Sequence, residues 1–400
     1  MVRRQLHTLG AALLLPALIS GCSTIDSVGS TVGGWVGGDE DLFAPAELTD
    51  IVSEVDLNVM WSNSVGVGSD DLWVKLNHQI SAGVVYAVSV DGAVSAFNID
   101  SGKTLWEHQL EQNGEEQKVM AGVALGKEHL YLGMESGALV ALSLSNGQQQ
   151  WSVSLLSEIL SPPAVADGVV VVRTVDGKLI ALTEQDGKEL WRYEREVPVL
   201  TLRGTGSPLI VEDRVYAGLD GGELVSLSLQ DGAELWMKEV SSPRGRTEIE
   251  RMADVDADPV ATDDALYLIS YQGDLVSLNM DGDLIWKRAM SGLTAPAVVG
   301  EYLFLADAEG VVWAFNRQDG SALWKQDGLK HRSLTTPLLA GKSLVVGDAE
   351  GYLHWISAED GSFIGRIKAD SDGVSAPSLL YGSSVISYGQ SGKLSAIKYR

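Results

Sequence analysis

Side chains capable of chemistry are few and scattered in this 400-residue chain. The six histidines, His7, His78, His108, His129, His331 and His354, form no i, i+4 pair of the kind that holds zinc, and no nucleophile motif stands beside them. The run Asp254-Val255-Asp256-Ala257-Asp258 opens like a calcium loop. Such a loop needs Gly at its sixth position and Glu at its twelfth, where this chain has Pro259 and Ala265. The single cysteine, Cys22, cannot form an intrachain disulfide. These patterns lead us to expect no enzyme activity, no cofactor and no bound metal. The 54 acidic against 29 basic residues give a net charge of -25, which repels phosphate backbones and excludes nucleic acid as a natural partner.

Cys22 draws its meaning from its position. Met1-Val2-Arg3-Arg4 is followed by an apolar run from Leu9 to Ile19 and then by Ser20-Gly21-Cys22, an export signal too short to span a bilayer comfortably. Ile19-Ser20-Gly21-Cys22 resembles the bacterial lipobox, in which the cysteine is lipidated and becomes the first residue of the mature protein. The expected organisation is a signal peptide over 1–21, a lipidated flexible tether over 22–47 rich in Gly and Ser, and a folded body over 48–400. Ser23 follows the cysteine; by resemblance to the sorting rule for such lipoproteins, the absence of Asp there implies the outer membrane. Several acyl chains on one cysteine hold firmly, so membrane contact is expected through the anchor alone.

The body repeats one phrase: apolar strand, Gly turn, apolar strand, polar-Gly turn, strand with Trp. The first copy reads Val84-Val85-Tyr86-Ala87-Val88, Asp91-Gly92, Val94-Ser95-Ala96-Phe97-Asn98, Ser101-Gly102, Leu105-Trp106. Its first turn recurs at Gly137, Gly177, Gly222, Gly273, Gly310, Gly351 and Gly392, spaced 37 to 51 residues apart. The second recurs as Asn146-Gly147, Asp186-Gly187, Asp231-Gly232, Asp281-Gly282, Asp319-Gly320 and Asp360-Gly361, dipeptides suited to positive φ. A further short strand opens with Pro163, Pro208, Pro259, Pro296, Pro337 and Pro377, as befits a residue that cannot donate to a ladder. Four strands per period of this length predict an all-β fold, an eight-bladed β-propeller with four antiparallel strands per blade. The eighth copy stops at Arg400 before its Trp strand, and Leu57-Asn58-Val59-Met60-Trp61 supplies it. The N- and C-terminal strands are therefore expected to share one blade and close the ring.

Trp61, Trp106, Trp151, Trp191, Trp236, Trp286 and Trp324 occur once per repeat. A binding stripe would gather on one face, so these are read as structural, each packed between blades with its N–H on a backbone acceptor. Gly365 stands where the seventh copy should carry Trp, and that junction is expected to be the weakest.

Ala96-Phe97-Asn98 through Ser101-Gly102-Lys103 to Trp106 resembles the tryptophan-docking repeat of quinoprotein propellers. Together with the lipobox and Leu200-Thr201-Leu202-Arg203, essentially the whole chain resembles the BamB family, lipoproteins of the outer-membrane β-barrel assembly machinery. A quinone-dependent dehydrogenase is the alternative. Those enzymes typically carry a vicinal Cys-Cys pair, and this chain has one cysteine. Connection lengths point instead to binding. From repeat Trp to opening Pro most run 10 to 13 residues, but Trp191 to Pro208 takes 17 and Trp236 to Pro259 takes 23. The first carries apolar Val197, Val199, Leu200 and Leu202 beside Arg203; the second alternates Asp254 and Asp256 with Val255 and Ala257. The resemblance implies the partner BamA, docked through its periplasmic POTRA domains on Leu200, Leu202, Arg203, Asp254 and Asp256. It also implies a non-enzymatic scaffold that faces the periplasm, joins the rest of the assembly complex through BamA and aids insertion of β-barrel proteins. A third reading has exposed outer strands taking up unfolded outer-membrane proteins by backbone pairing.

Overall fold

Apolar runs of five or six residues between glycine turns are strands buried on both faces, and the repeat supplies two per copy. In the computed structural model, which describes residues 44–70, 72, 74–112, 115–195, 206–241 and 255–400, these runs pair into eight four-stranded antiparallel sheets. Blade 1 consists of His78–Ser81, Val84–Val88, Ala93–Asn98 and Thr104–Gln109. Blades 2 to 7 repeat that order, opening on Val119–Leu125, Ala164–Ala166, Leu209–Val211, Val260–Ala261, Ala297–Val299 and Leu338–Ala340. Opening strands of successive blades approach one another and border a central channel, while the fourth strand of each blade forms the half-exposed outer edge. Pro163, Pro208, Pro259, Pro296 and Pro337 each stand immediately before an inner strand, outside its ladder.

Blade 8 joins the two ends of the body. Leu379–Tyr381, Ser384–Tyr388 and Lys393–Tyr399 are completed by Leu57–Ser64, paired antiparallel from Leu57 opposite Tyr399 to Ser64 opposite Lys393 with one bulge between Val59 and Trp61. The closing seam against blade 1 is tied by Tyr388 Oη donating to the Val88 carbonyl at 2.9 Å and by His78 Nε2 lying 3.1 Å from the Ile386 carbonyl oxygen.

The structure gives the repeat glycine a second reason to exist. Gly102, Gly147, Gly187, Gly232, Gly282, Gly320 and Gly361 all have positive φ, between +67° and +80°. Each also lies under the indole of the preceding blade: a Cβ on Gly102 would sit 2.6 Å from Trp61 Cγ, and one on Gly147 2.5 Å from Trp106 Cε3. The indole N–H then reaches a backbone carbonyl of the next blade, Trp61 to Ile99 at 2.8 Å, Trp106 to Leu144 at 2.9 Å and Trp191 to Leu229 at 2.8 Å. The remaining four tryptophans bond at 2.8 to 3.3 Å to Glu184, Met280, Arg317 and Ala358. Within its own blade each Trp faces a small residue on the third strand, such as Ala96, Ala141 or Ser226. The gap lets an aromatic ring of the second strand reach the indole, Tyr131 to Trp151 at 5.6 Å and Tyr216 to Trp236 at 5.8 Å.

Blade 7 inverts that pairing. Its third strand carries Trp355, fully buried, directly opposite Gly365 on the outer strand. Large and small have changed places across the strand pair, so the volume between strands is kept. The vacated outer position is not open: a Cβ on Gly365 would meet Val55 Cγ2 at 2.5 Å and Leu57 Cδ1 at 3.4 Å. Residues 46–56 run as a strap over blade 7. Ala46 N donates to Lys330 O at 2.9 Å, Glu54 N to Ile364 O at 2.8 Å, and Leu48 packs against the cluster of Leu329, Leu334 and Ile356. Two guanidinium groups clamp the strap, Arg332 Nη1 on Ala46 O at 3.0 Å and Arg366 Nη1 on Thr49 O at 3.1 Å.

Candidate functional site: a loop rim at blades 3 to 5

The two long connections leave from adjacent points. Blade 3 ends on Glu189–Tyr193 and blade 4 on Glu234–Glu239. Tyr193 Oη donates to Glu234 Oε2 at 2.7 Å, and Arg195 pairs with Glu223 at 3.2 Å. Partial burial and the Glu234 carboxylate together push the Tyr193 hydroxyl up to about 12, so it stays a donor at any working pH.

Their returning ends are joined as well. Ser207 N donates to Asp258 Oδ1 at 2.6 Å, and Gly206 lies so close to the returning chain that a Cβ would stand 3.1 Å from the Ala257 carbonyl. Lys75, from the connection between blades 8 and 1, reaches across the channel mouth to Asp258 Oδ1 at 3.1 Å and to the Asp256 carbonyl at 2.7 Å. Its own backbone is fixed to blade 2, where Gly122 N donates to Lys75 O at 2.9 Å. One lysine thus ties its own connection to the returning second one, where Asp258 borders a cavity of about 500 Å³ whose lining also includes Asn77, Gln79 and Ser81.

Of the expected contact residues, Leu200, Leu202, Arg203 and Asp254 lie outside the described residues, as does Cys22. Asp256 is described, and it is only 5% exposed rather than displayed on an open acidic rim. Val255 and Ala257, each 1% exposed, draw the chain into the seam, where Val255 fills the space left by the absent side chain of Gly218. Val255, Asp256 and Ala257 therefore form a buried seat for the returning end of the second connection.

Two of the histidines, His78 and His354, are buried in the propeller. His78 is buried, which lowers it to about 4 despite its backbone contact. His354 is buried in blade 7, its Nε2 at 2.9 Å from Asp348 and its Nδ1 accepting from Arg366 Nε at 3.0 Å. That pattern fits the neutral ring, and burial holds it below the usual histidine range although Asp348 pulls upward. Burial works against a charged Asp348, but His354, the Tyr352 amide and Arg332 outweigh it and keep the carboxyl below its ordinary value. The strap clamp of Arg332 and Arg366 escaped sequence reading, because nothing local distinguishes these arginines from surface ones. Neither buried histidine lines the cavity.

A family model described as outer membrane protein assembly factor BamB matches residues 90–326. The chain belongs to the BamB family. It is 36% identical over 396 residues to the outer membrane protein assembly factor BamB of Shewanella oneidensis, covering 97% of each chain. The crystal structure of BamB from Moraxella catarrhalis superposes with a TM-score of 0.77 at 26% identity, over 86% of this chain and all of that one. A quinohemoprotein alcohol dehydrogenase from Comamonas testosteroni has a TM-score of 0.67 over 86% of this chain and 76% of that one, but at 14% identity the likeness is one of fold alone.

Proposed function

We propose that this chain is a non-enzymatic scaffold of the outer-membrane protein assembly complex, held by lipid on Cys22 and docked on BamA through the rim of blades 3 to 5. The observation that carries the reading is family membership over nearly the whole length. The joined stems of the two long connections support the location: both loops start and end side by side, on a ring that holds them rigidly. Leu200, Leu202 and Arg203 supply apolar and guanidinium anchors for the POTRA domains, with Asp254 as the acidic neighbour and Asp256 as the seat beneath it. In this reading residues 1–21 are removed on export and 22–47 tether the propeller to the periplasmic side of the outer membrane. Other members of the complex are reached through BamA, and β-barrel clients are the cargo of the assembly.

The test is affinity purification of the detergent-solubilised lipoprotein from a Gram-negative host. BamA should copurify, and mass spectrometry should find two acyl-chain classes on the N-terminal cysteine. If BamA is absent while a quinone absorbance accompanies the protein, the scaffold reading gives way to a quinoprotein one.

A further inference from the structure

Leu156 is the most exposed large apolar residue described, at 90%, and it holds φ at +67°. A branched side chain in the left-handed region sets its Cβ against the following carbonyl, a conformation that Gly or Asn adopts with less strain. The fold gains almost nothing from this side chain, since a group so exposed buries no area. A residue held in such a conformation by its surroundings is a reason to look for function.

The surroundings hold it firmly. Leu155 is buried at 4% and its N–H bonds to Gly137 O at 2.8 Å; Ile159 is fully buried. Ser157 Oγ accepts from Asp176 N at 3.2 Å, and Glu158 O accepts from Val175 N at 3.0 Å. Leu156 is thus a single apolar knob on a rigid base, and little freedom remains to be lost on docking. Exposed Glu135 and Asp176 and half-buried Glu158 lie in the same loops, with Lys178 paired to Asp176 at 2.5 Å.

The knob is continuous with the loop rim. It sits on the connection from blade 2 to blade 3, one before the connection that carries Leu200. The turn at Asp176 that bonds Ser157 leads back to Arg173, which pairs with Asp220 at 2.8 Å in the blade 4 turn. Three residues on, Glu223 holds Arg195 at the root of the first long connection. We infer that Leu156 is a further contact residue of this rim, a preformed knob that enters a leucine-sized pocket bordered by basic groups on the docked POTRA domains. The inference rests on the docking reading above.

The experiment compares Leu156→Asn and Leu156→Gly with wild type as full-length lipoprotein in detergent, measuring affinity for the periplasmic region of BamA and the urea midpoint. Both variants should keep or raise the midpoint, and both should bind at least about tenfold more weakly, the loss of a well-seated apolar anchor. Binding equal to wild type by either variant overturns the inference and leaves the docking reading intact. A lowered midpoint also overturns it, since the side chain would then serve the fold. Failure of the wild type to bind BamA overturns the docking reading itself, and this inference with it.

Discussion

Replacing Gly232 with Ala tests the idea that repeat glycines seat the indole of the preceding blade. Gly232 has φ +71°, and an added Cβ would lie 2.7 Å from Cδ2 and Cε3 of Trp191, the most buried repeat tryptophan at 7% exposure. Gly168 is the matched control, with φ +79° and nothing within 4 Å of its Cβ position. Left-handed Ala costs about 1–2 kcal/mol at either site. At Gly232 the indole must also shift, which adds about 1–3 kcal/mol of overpacking. It also strains the 2.8 Å bond to Leu229 O, worth roughly 1 kcal/mol. Gly232→Ala should therefore cost about 3–6 kcal/mol and Gly168→Ala about 1–2 kcal/mol. Urea unfolding followed by circular dichroism measures both. In the background of Trp191→Leu the penalty of Gly232→Ala should fall towards that of Gly168→Ala, since close residues couple. Equal costs for the two glycines in the wild-type background would refute the seating argument and leave only the turn.

Three further outcomes follow from the geometry. His78 titrates near 4 when folded against an ordinary 6.5, so above pH 6.5 it is neutral in both states. As pH falls from 6.5 towards 4 the unfolded chain takes up a proton the folded one refuses, and roughly 3 kcal/mol of stability is lost. Urea midpoints at pH 7 and pH 5 should differ less for His78→Asn than for wild type, though His354, lowered in the same direction, keeps part of the slope. Arg332→Met removes the cation beside the fully buried Asp348 and frees the Ala46 carbonyl. It should cost about 3–5 kcal/mol and make residues 46–56 an early site of limited proteolysis; a resistant strap would contradict the clamp. Lys75→Met breaks a pair whose side chains are 36% and 44% exposed, so its stability cost should stay within about 1 kcal/mol, checked by the same urea titration.

The propeller was legible because its signals are local. Asp-Gly and Asn-Gly turns, double apolar runs and one Trp per period repeat often enough to give blade number, strand count and the shared closing blade. What the repeat could not show is contact between copies. Gly232 reads as a turn residue from its neighbours, while its role under Trp191 depends on a residue 41 positions earlier. Gly365 looked like a defect when the outer strand was read alone. Trp355 across the ladder and Val55 on the strap make it a compensated exchange. The depth of Asp256 was hidden for the same reason. An alternating acidic stretch reads as exposed, whereas Val255 is seated on Gly218 and the Asp256 carbonyl is held by Lys75, which lies 181 residues away in the chain. Leu156 gave no sequence signal, since a leucine pair beside a strand looks like core.

Docking at the rim of blades 3 to 5 can be measured as the affinity of the full-length lipoprotein, in detergent, for the periplasmic region of BamA, wild type beside Leu200→Ala/Arg203→Ala. Circular dichroism must confirm that both are folded. Loss of two central anchors should weaken binding by at least about 30-fold, the equivalent of roughly 2 kcal/mol. Equal affinities for the two folded proteins would contradict docking at this rim.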